Sequence, residues 1–482
     1  MPQKTTAGQS PDYTLLENEL TCSVGHIGST AYEAGRGVWN KQARHRSPLA
    51  VVRPTGTQDV ARTLRWAGKE GLRVSARSGG HSFDGFPVQP DTLLVDLSLL
   101  DDASLDNEGV AHLQPGARVQ RLAEAFSPKG RALPTGDCGT VAMGGLLSGG
   151  GFGYASRKLG LTIDSVAEAT IVTGGGDIIR ASRSHQPDLF WAAVGGGGTA
   201  GIATEFLIRS FPVEKVTGFG LGFKWQSAHE IVAAYQDLLM AAPAELDLKL
   251  KIRSTGPDRF LDVNSCGPEG CTSGEPFVHV DGQFHGTKED AETLLAPLLN
   301  NPALNQVVIR EESYFEAMID LIPVPSLNEA APDNVRPLRV ASDFVARKLS
   351  PDQIDAFVEF VEAVQYSPDF WGGCALLEPA DIAVCSRATS DTAFPHRNAF
   401  LLAQWEMIHP VEVTDDVMTR LDQLLGRLRT RLSSAITGGR YLNYADQLDT
   451  PQNWWGENAN RLAETAATYD PNRILVSRLH PL

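Results

Sequence analysis

Along its first two hundred residues the chain alternates short apolar runs with stretches of helical period. Leu49–Val52 reads as a short strand. Over Asp59–Lys69, Val60, Leu64 and Ala67 fall on one face, which predicts an amphipathic helix with Asp59 as its cap. Leu72-Arg73-Val74-Ser75-Ala76 and Leu93-Leu94-Val95-Asp96-Leu97 read as strands, and strand–helix–strand alternation continues to about Phe211. Residues 1–45 read as a helical lead-in ending near Trp39 and Asn40. After Pro212 the pattern changes. Short apolar strands (Val216–Phe223, Phe277–Phe284, Leu338–Phe344, Phe400–Trp405) are separated by long helical stretches (Ala228–Met240, Asp290–Leu299, Pro351–Ala363, Asp415–Leu432). The expectation is an α+β chain whose second part is an antiparallel sheet with helices on one face. No repeat, low-complexity tract or long linker interrupts it.

A chain of 482 residues exceeds one ordinary core, so two domains are expected. A net charge of −16 argues against nucleic acid or an anionic membrane surface as partner. No apolar run reaches the roughly 18 residues of a membrane span. Met1–Gly8 lacks an apolar signal core, and the expected location is cytoplasmic. Six cysteines make no disulfide framework; Cys266 and Cys271 could close a small loop or stay free thiols. Without C-x-x-C or H-E-x-x-H no zinc site is expected, and no metal is assigned.

Two glycine-rich stretches carry the chemistry. Arg77-Ser78-Gly79-Gly80-His81-Ser82 follows a strand, and glycines there let backbone N–H groups approach an anion such as a pyrophosphate. About sixty residues later, Pro134-Thr135-Gly136-Asp137-Cys138-Gly139-Thr140-Val141 leads into six glycines between 144 and 153. Together they suggest a large phosphate-bearing cofactor held by two loops, with a histidine and a cysteine as covalent anchors. Gly196–Gly201 fits G-x-G-x-x-G, but Ile202–Ile208 alternates like a strand instead of opening a helix, and no ribose-binding acid follows. A nicotinamide cofactor is therefore not assigned.

These stretches, with Asp188–Gly198, Ala393-Phe394-Pro395-His396-Arg397, Tyr441-Leu442-Asn443-Tyr444-Ala445-Asp446, Trp455–Asn458 and Tyr469–Asn472, resemble the flavin-linked oxidases of the vanillyl-alcohol-oxidase class, in the berberine-bridge-enzyme-like branch. The resemblance implies a two-domain FAD-binding fold: an FAD-binding domain at 1–211, a substrate domain at 212–432, and a return to the FAD-binding domain at 433–482. It implies FAD bonded through its 8α-methyl to His81 and through C6 to Cys138. On the first loop it places Arg77, Ser78, Gly79, Gly80, Ser82 and Gly85 at the cofactor. On the second it places Thr140, Gly144, Gly145, Ser148, Gly149, Gly150, Gly151, Gly153 and Tyr154 there, with Gly201, Ile202, Asn443 and Tyr444 further on. It also implies hydride transfer from a small-molecule alcohol or activated C–H substrate, with O2 as acceptor giving H2O2. Substrates across such a scaffold range from sugars to polyketide alcohols, alkaloids and phenols. A dehydrogenase with another electron acceptor and a non-catalytic flavin protein are the alternatives.

The resemblance matches Tyr444 to the family tyrosine that serves as catalytic base or orients the substrate, with Tyr441 as competitor. A base near neutral pH would need its phenol pKa depressed from about 10. The bland alternative is two structural tyrosines on a buried strand. Gln404 stands where relatives carry Glu or Gln facing the flavin, with Glu406 on the same strand face. Leu146 replaces a histidine of plant members, and Met143 takes the slot associated with oxygen access. His279, Asp281, Gln283 and His285 share a strand face; a metal site, a pocket wall and a solvated face all stay open.

Overall fold

The computed structural model describes residues 11–213, 215–254, 276–320, 337–370, 372–410 and 412–480. Cys266, Cys271 and the Met1–Gly8 segment lie outside them. In the first part, Ala50–Arg53, Thr92–Asp96 and Arg73–Arg77 pair in parallel, with Ser23–Gly25 antiparallel at the edge. The crossover helix Thr57–Glu70 buries Val60, Leu64 and Ala67 against this sheet, as its period requires. Asp59 is not its cap. The helix starts two residues earlier, after Gly56, and the Asp59 carboxylate instead accepts the backbone N–H groups of Thr21 and Thr55 at 3.0 and 3.1 Å. The lead-in is only partly helical: Thr14–Glu19 and Thr30–Gly35 flank the short strand. A second, five-stranded antiparallel sheet runs Ala103–Leu105, Val110–Leu113, Ile202–Arg209, Val166–Val172, Ile178–Ser182. Ile202–Arg209 is a strand, so the G-x-G-x-x-G stretch opens no helix.

The second part is a seven-stranded antiparallel sheet in the spatial order Leu304–Glu312, Val216–Phe223, Phe277–Phe284, Leu246–Ser254, Gly372–Pro379, Leu401–Ile408, Leu338–Val345. The first, fourth and fifth of these strands are additional to those expected. Leu246, Leu248, Leu250 and Ile252 join Leu377, Ala403 and Trp405 in one core with the helices Ala228–Ala241, Lys288–Leu299, Pro351–Gln365 and Asp415–Leu432. Thr287, Ser350 and Thr414 cap three of these helices, which moves the second helix's start two residues ahead of the expected Asp290. By the strand period of two, Lys249, Lys251, Arg253, Glu378, Gln404 and Glu406 face the opposite side. That side meets the first part of the chain.

Two ties close the molecule around this junction. Asn40 donates to Leu338 O at 2.7 Å, joining the lead-in to the large sheet. The chain end returns beside the parallel sheet: Val74 donates to Ile474 O and Val476 to Val74 O, both at 2.8 Å. No helix among the described residues is long and apolar enough to cross a membrane.

Candidate active site

A cavity of 540 Å³ opens between the glycine loops and the bare face of the seven-stranded sheet. The first loop is braced from behind. Arg77 is the last residue of its strand, pairs with buried Asp96 and donates to Gly37 O at 2.6 Å, so its charge is committed within the protein. Gly80 sits at φ +74°, where a Cβ would lie 2.7 Å from Gly37 O. The turn brings His81 against Trp39, ring centroids 6.0 Å apart and nearly parallel. Burial, with Arg118 and Arg77 nearby, pulls the His81 pKa down to about 4, which leaves a neutral imidazole with a free ring nitrogen.

The second loop meets the first through Gly79 and Gly144. A Cβ on Gly79 would touch Ala142, and one on Gly144 would lie 2.3 Å from Ser78 Oγ. Gly145 differs: a Cβ there would meet no protein atom within 4 Å, and the residue borders the cavity. Cys138 also borders it, with its thiol 3.4 Å from Thr140 Oγ1. Burial raises that thiol's pKa, and neighbouring Asp137 adds to the rise.

Of the residues expected at a cofactor, Arg77, Ser78, Gly79, Gly80, His81, Ser82, Cys138, Gly144, Gly145, Ser148, Gly201, Ile202, Asn443 and Tyr444 line this one cavity, as do Tyr441 and Gln404. Gly85, Thr140, Gly149, Gly150, Gly151, Gly153 and Tyr154 are not on its wall. The glycines among these serve close packing: a Cβ on Gly149 would strike Asn443, one on Gly151 would strike Thr162, and one on Gly153 would lie 1.6 Å from Thr135 O. Tyr154 is buried and donates to Asp281. Met143 is fully buried in the core and does not line the cavity. Leu146 does face the cavity.

Tyr441 and Tyr444 lie not on a strand but around the tight turn Leu442–Tyr444. Their hydroxyls differ in role. Tyr441 Oη accepts the Gly151 N–H at 2.8 Å and an Asn443 N–H at 3.0 Å, and burial pushes its pKa up to about 12. Tyr444 donates to Glu378 Oε1 at 3.1 Å. Burial and the Glu378 charge hold the Tyr444 phenol well above its ordinary pKa, so the depression required of a free phenolate base is absent. Gln404 does face inward, and its amide donates to Glu406 at 2.7 Å. Burial raises the Glu406 pKa.

His279 and Asp281 belong to an ion-pair cluster with Lys251, whose ammonium is 2.7 Å from Asp281. Gln283 donates to Tyr314 O, and His285 lies one residue past the strand's end against Tyr314. Among the described residues no group of three His, Cys, Asp or Glu could hold a metal ion. Several wall residues carried no sequence signal: Trp39, Phe83, Lys251, Arg253, and at the chain end Leu475, Val476 and Arg478. The alternation in Leu246–Ser254 was the available clue to two of them.

This arrangement suits a flat, phosphate-bearing ligand: two interlocked glycine loops, an open position at Gly145, and a neutral imidazole and a thiol on the same wall. The comparisons agree. The family profile for an FAD binding domain matches residues 48–182. The carbohydrate oxidase of Microdochium nivale is 29% identical over 451 residues, covering 88% of this chain and 86% of that protein. The structure of a chitooligosaccharide oxidase superposes with a TM-score of 0.81 at 25% identity, covering 97% of this chain and 99% of the other. A glucooligosaccharide oxidase from Acremonium strictum, which carries a 6-S-cysteinyl, 8α-N1-histidyl FAD, shares the fold with a TM-score of 0.81 at 23% identity, over 97% of this chain and 99% of its own. Fold and site thus define an FAD-dependent oxidoreductase. Residues 48–182 carry the FAD binding domain, and over most of its length the chain is similar to FAD-linked oxidases.

Proposed function

We propose that this oxidase carries FAD bonded to both His81 and Cys138 and oxidises a hydroxyl-bearing carbon of a carbohydrate, with O2 as the final acceptor. Ser78, Gly79, Gly80 and Ser82 on one loop, and Gly144, Gly145 and Ser148 on the other, would hold the cofactor, with Gly201, Ile202 and Asn443 completing its surround. Bound FAD supplies the acceptor for the hydride leaving the substrate carbon; the protein supplies position and proton handling.

The observation that carries the proton chemistry is the Tyr444–Glu378 hydrogen bond. A phenol with a raised pKa is a poor free base, but one that already donates to a carboxylate can take the substrate's hydroxyl proton as it gives its own to Glu378. Tyr441 is the weaker candidate, because its oxygen is engaged by two N–H donors that fix the Gly151 backbone. Gln404 lacks a titratable group and suits substrate orientation. The carbohydrate reading is supported by the activities of the relatives named above and by the wall itself. Trp39 and Phe83 offer aromatic faces, while Lys251, Arg253, Gln404 and Glu406 offer donors and acceptors across the cavity.

The test is an anaerobic screen of mono- and oligosaccharides followed by flavin bleaching, then oxygen consumption and H2O2 release with each active sugar. Bleaching by one or more sugars with stoichiometric H2O2 is expected. Bleaching by phenols or alkaloid alcohols alone would move the substrate class. Bleaching without reoxidation by O2 would make the enzyme a dehydrogenase.

A further inference from the structure

Lys249 is 2% exposed, and its ammonium lies between two carboxylates that belong to different parts of the site. It is 2.8 Å from Glu378 Oε2 and 2.9 Å from Asp137 Oδ2, and 4.9 Å from the ring centroid of Tyr154. Through its other oxygen Glu378 accepts the Tyr444 hydroxyl. Asp137 is the residue before Cys138. A single buried cation therefore joins the tyrosine's proton acceptor on the sheet to the loop that presents the cysteine, across 112 residues of sequence.

We propose that Lys249 is a positioning residue that holds Glu378 ready to receive the Tyr444 proton and holds the Asp137 loop so that Cys138 reaches its flavin carbon. This rests on the Tyr444 and Cys138 roles given above.

Neighbouring charges leave Lys249 without a substitute. Lys251, on the same strand face, is committed to Asp281 and His279. Asp247, the other face neighbour, accepts the Arg157 backbone N–H. On its other sides the Lys249 ammonium lies over the Tyr154 ring and near Tyr314 and Asp247. Despite burial, Asp137 and Glu378 hold the Lys249 ammonium above its ordinary pKa, and Lys249 with Lys251 holds Asp137 below its own. Removing the ammonium leaves the buried Glu378 carboxylate facing the partly exposed Asp137 carboxylate with no cation between them. One must take a proton or move to water. If Glu378 takes it, the Tyr444 proton has nowhere to go until the pH rises. If Asp137 swings out, Cys138 swings with it.

The test uses the full-length protein in a His81→Ala background, where Cys138 alone retains flavin after acid precipitation. There Lys249→Met should cut retained flavin at least fivefold, Lys249→Arg should keep most of it, and adding Asp137→Asn to Lys249→Met should restore at least half. That rescue separates a charge role from lost packing. In the otherwise native protein, Lys249→Met should move the rising limb of anaerobic flavin bleaching by cellobiose to higher pH by at least one unit. Unchanged retention in Lys249→Met, or loss that Asp137→Asn fails to rescue, overturns the proposal. Absence of retained flavin in His81→Ala itself overturns it together with the cysteine link. If no sugar bleaches the native flavin, the carbohydrate reading falls alone, and retention still decides the role of Lys249.

Discussion

Tyr444 and Glu378, 66 residues apart, form a 3.1 Å hydrogen bond in which the phenol is the donor. The bond joins a tight turn near the end of the chain to the centre of the large sheet, at the edge of the cavity that both glycine loops line. Breaking it from either side should have the same effect. Tyr444→Phe and Glu378→Gln are each expected to slow anaerobic flavin reduction by roughly 10²–10⁴, the usual cost of losing general-base assistance, with little change in substrate affinity. Stopped-flow reduction checks this. A rate within about threefold of wild type in Glu378→Gln would remove the carboxylate from the proton path.

Tyr441→Phe is expected to behave differently. It leaves the Gly151 N–H and one Asn443 N–H without their acceptor in a buried setting, at a cost of about 1–3 kcal/mol. Chemical denaturation should show that loss, while flavin reduction at saturating substrate stays near wild type. A collapse of the reduction rate with unchanged stability would make Tyr441 the base.

The glycines of the second loop should divide by what their missing side chain leaves room for. A Cβ at Gly145 would meet no protein atom within 4 Å, so Gly145→Val should fold with near wild-type stability and lose FAD. Gly153→Ala would put a methyl 1.6 Å from Thr135 O and should fail to fold with or without cofactor. Soluble expression and flavin content read both. Full FAD loading in Gly145→Val would move the cofactor off that wall.

The charged side of the seven-stranded sheet explains what sequence could and could not disclose. Glycine turns with an adjacent histidine or cysteine are local signals, so His81, Cys138 and most loop residues were legible. The strand Leu246–Ser254 alternates strictly, yet lysines at every second position of a one-sided sheet read as a solvated face. Here that face is turned onto the FAD-binding part, which buries Lys249 and leaves it two carboxylate partners far away in sequence. Glu378 was hidden for the same reason. Asp59 looks like a cap in the sequence because the helical period starts there, whereas the Thr21 and Thr55 N–H groups that claim its carboxylate lie upstream of the helix.

Stability should depend on pH through buried histidines. His285 and His396 are held near pKa 4 by burial, His396 also stacking on Phe344 at 4.4 Å. The unfolded chain protonates both near pH 6.5. Between 6.5 and 4 the unfolded state therefore binds more protons, and unfolding free energy falls as the pH falls through that window, by up to about 3 kcal/mol for each histidine. Burial raises the Asp247 pKa to about 7 and the Asp449 pKa to about 6, and these carboxyls act in the opposite sense, so the histidine effect is read by difference. The fall in urea midpoint from pH 7.5 to 5 should be smaller in His396→Asn than in the wild type; an unchanged pH dependence would show that this ring charges without unfolding.

The most direct measurement of the two-anchor arrangement is intact mass after acid denaturation. The wild-type chain should carry the mass of one FAD, His81→Ala and Cys138→Ala should each retain it through the remaining bond, and the double variant should be bare. Release of all flavin from the wild-type chain by acid, with the polypeptide at its unmodified mass, would contradict covalent attachment at both residues.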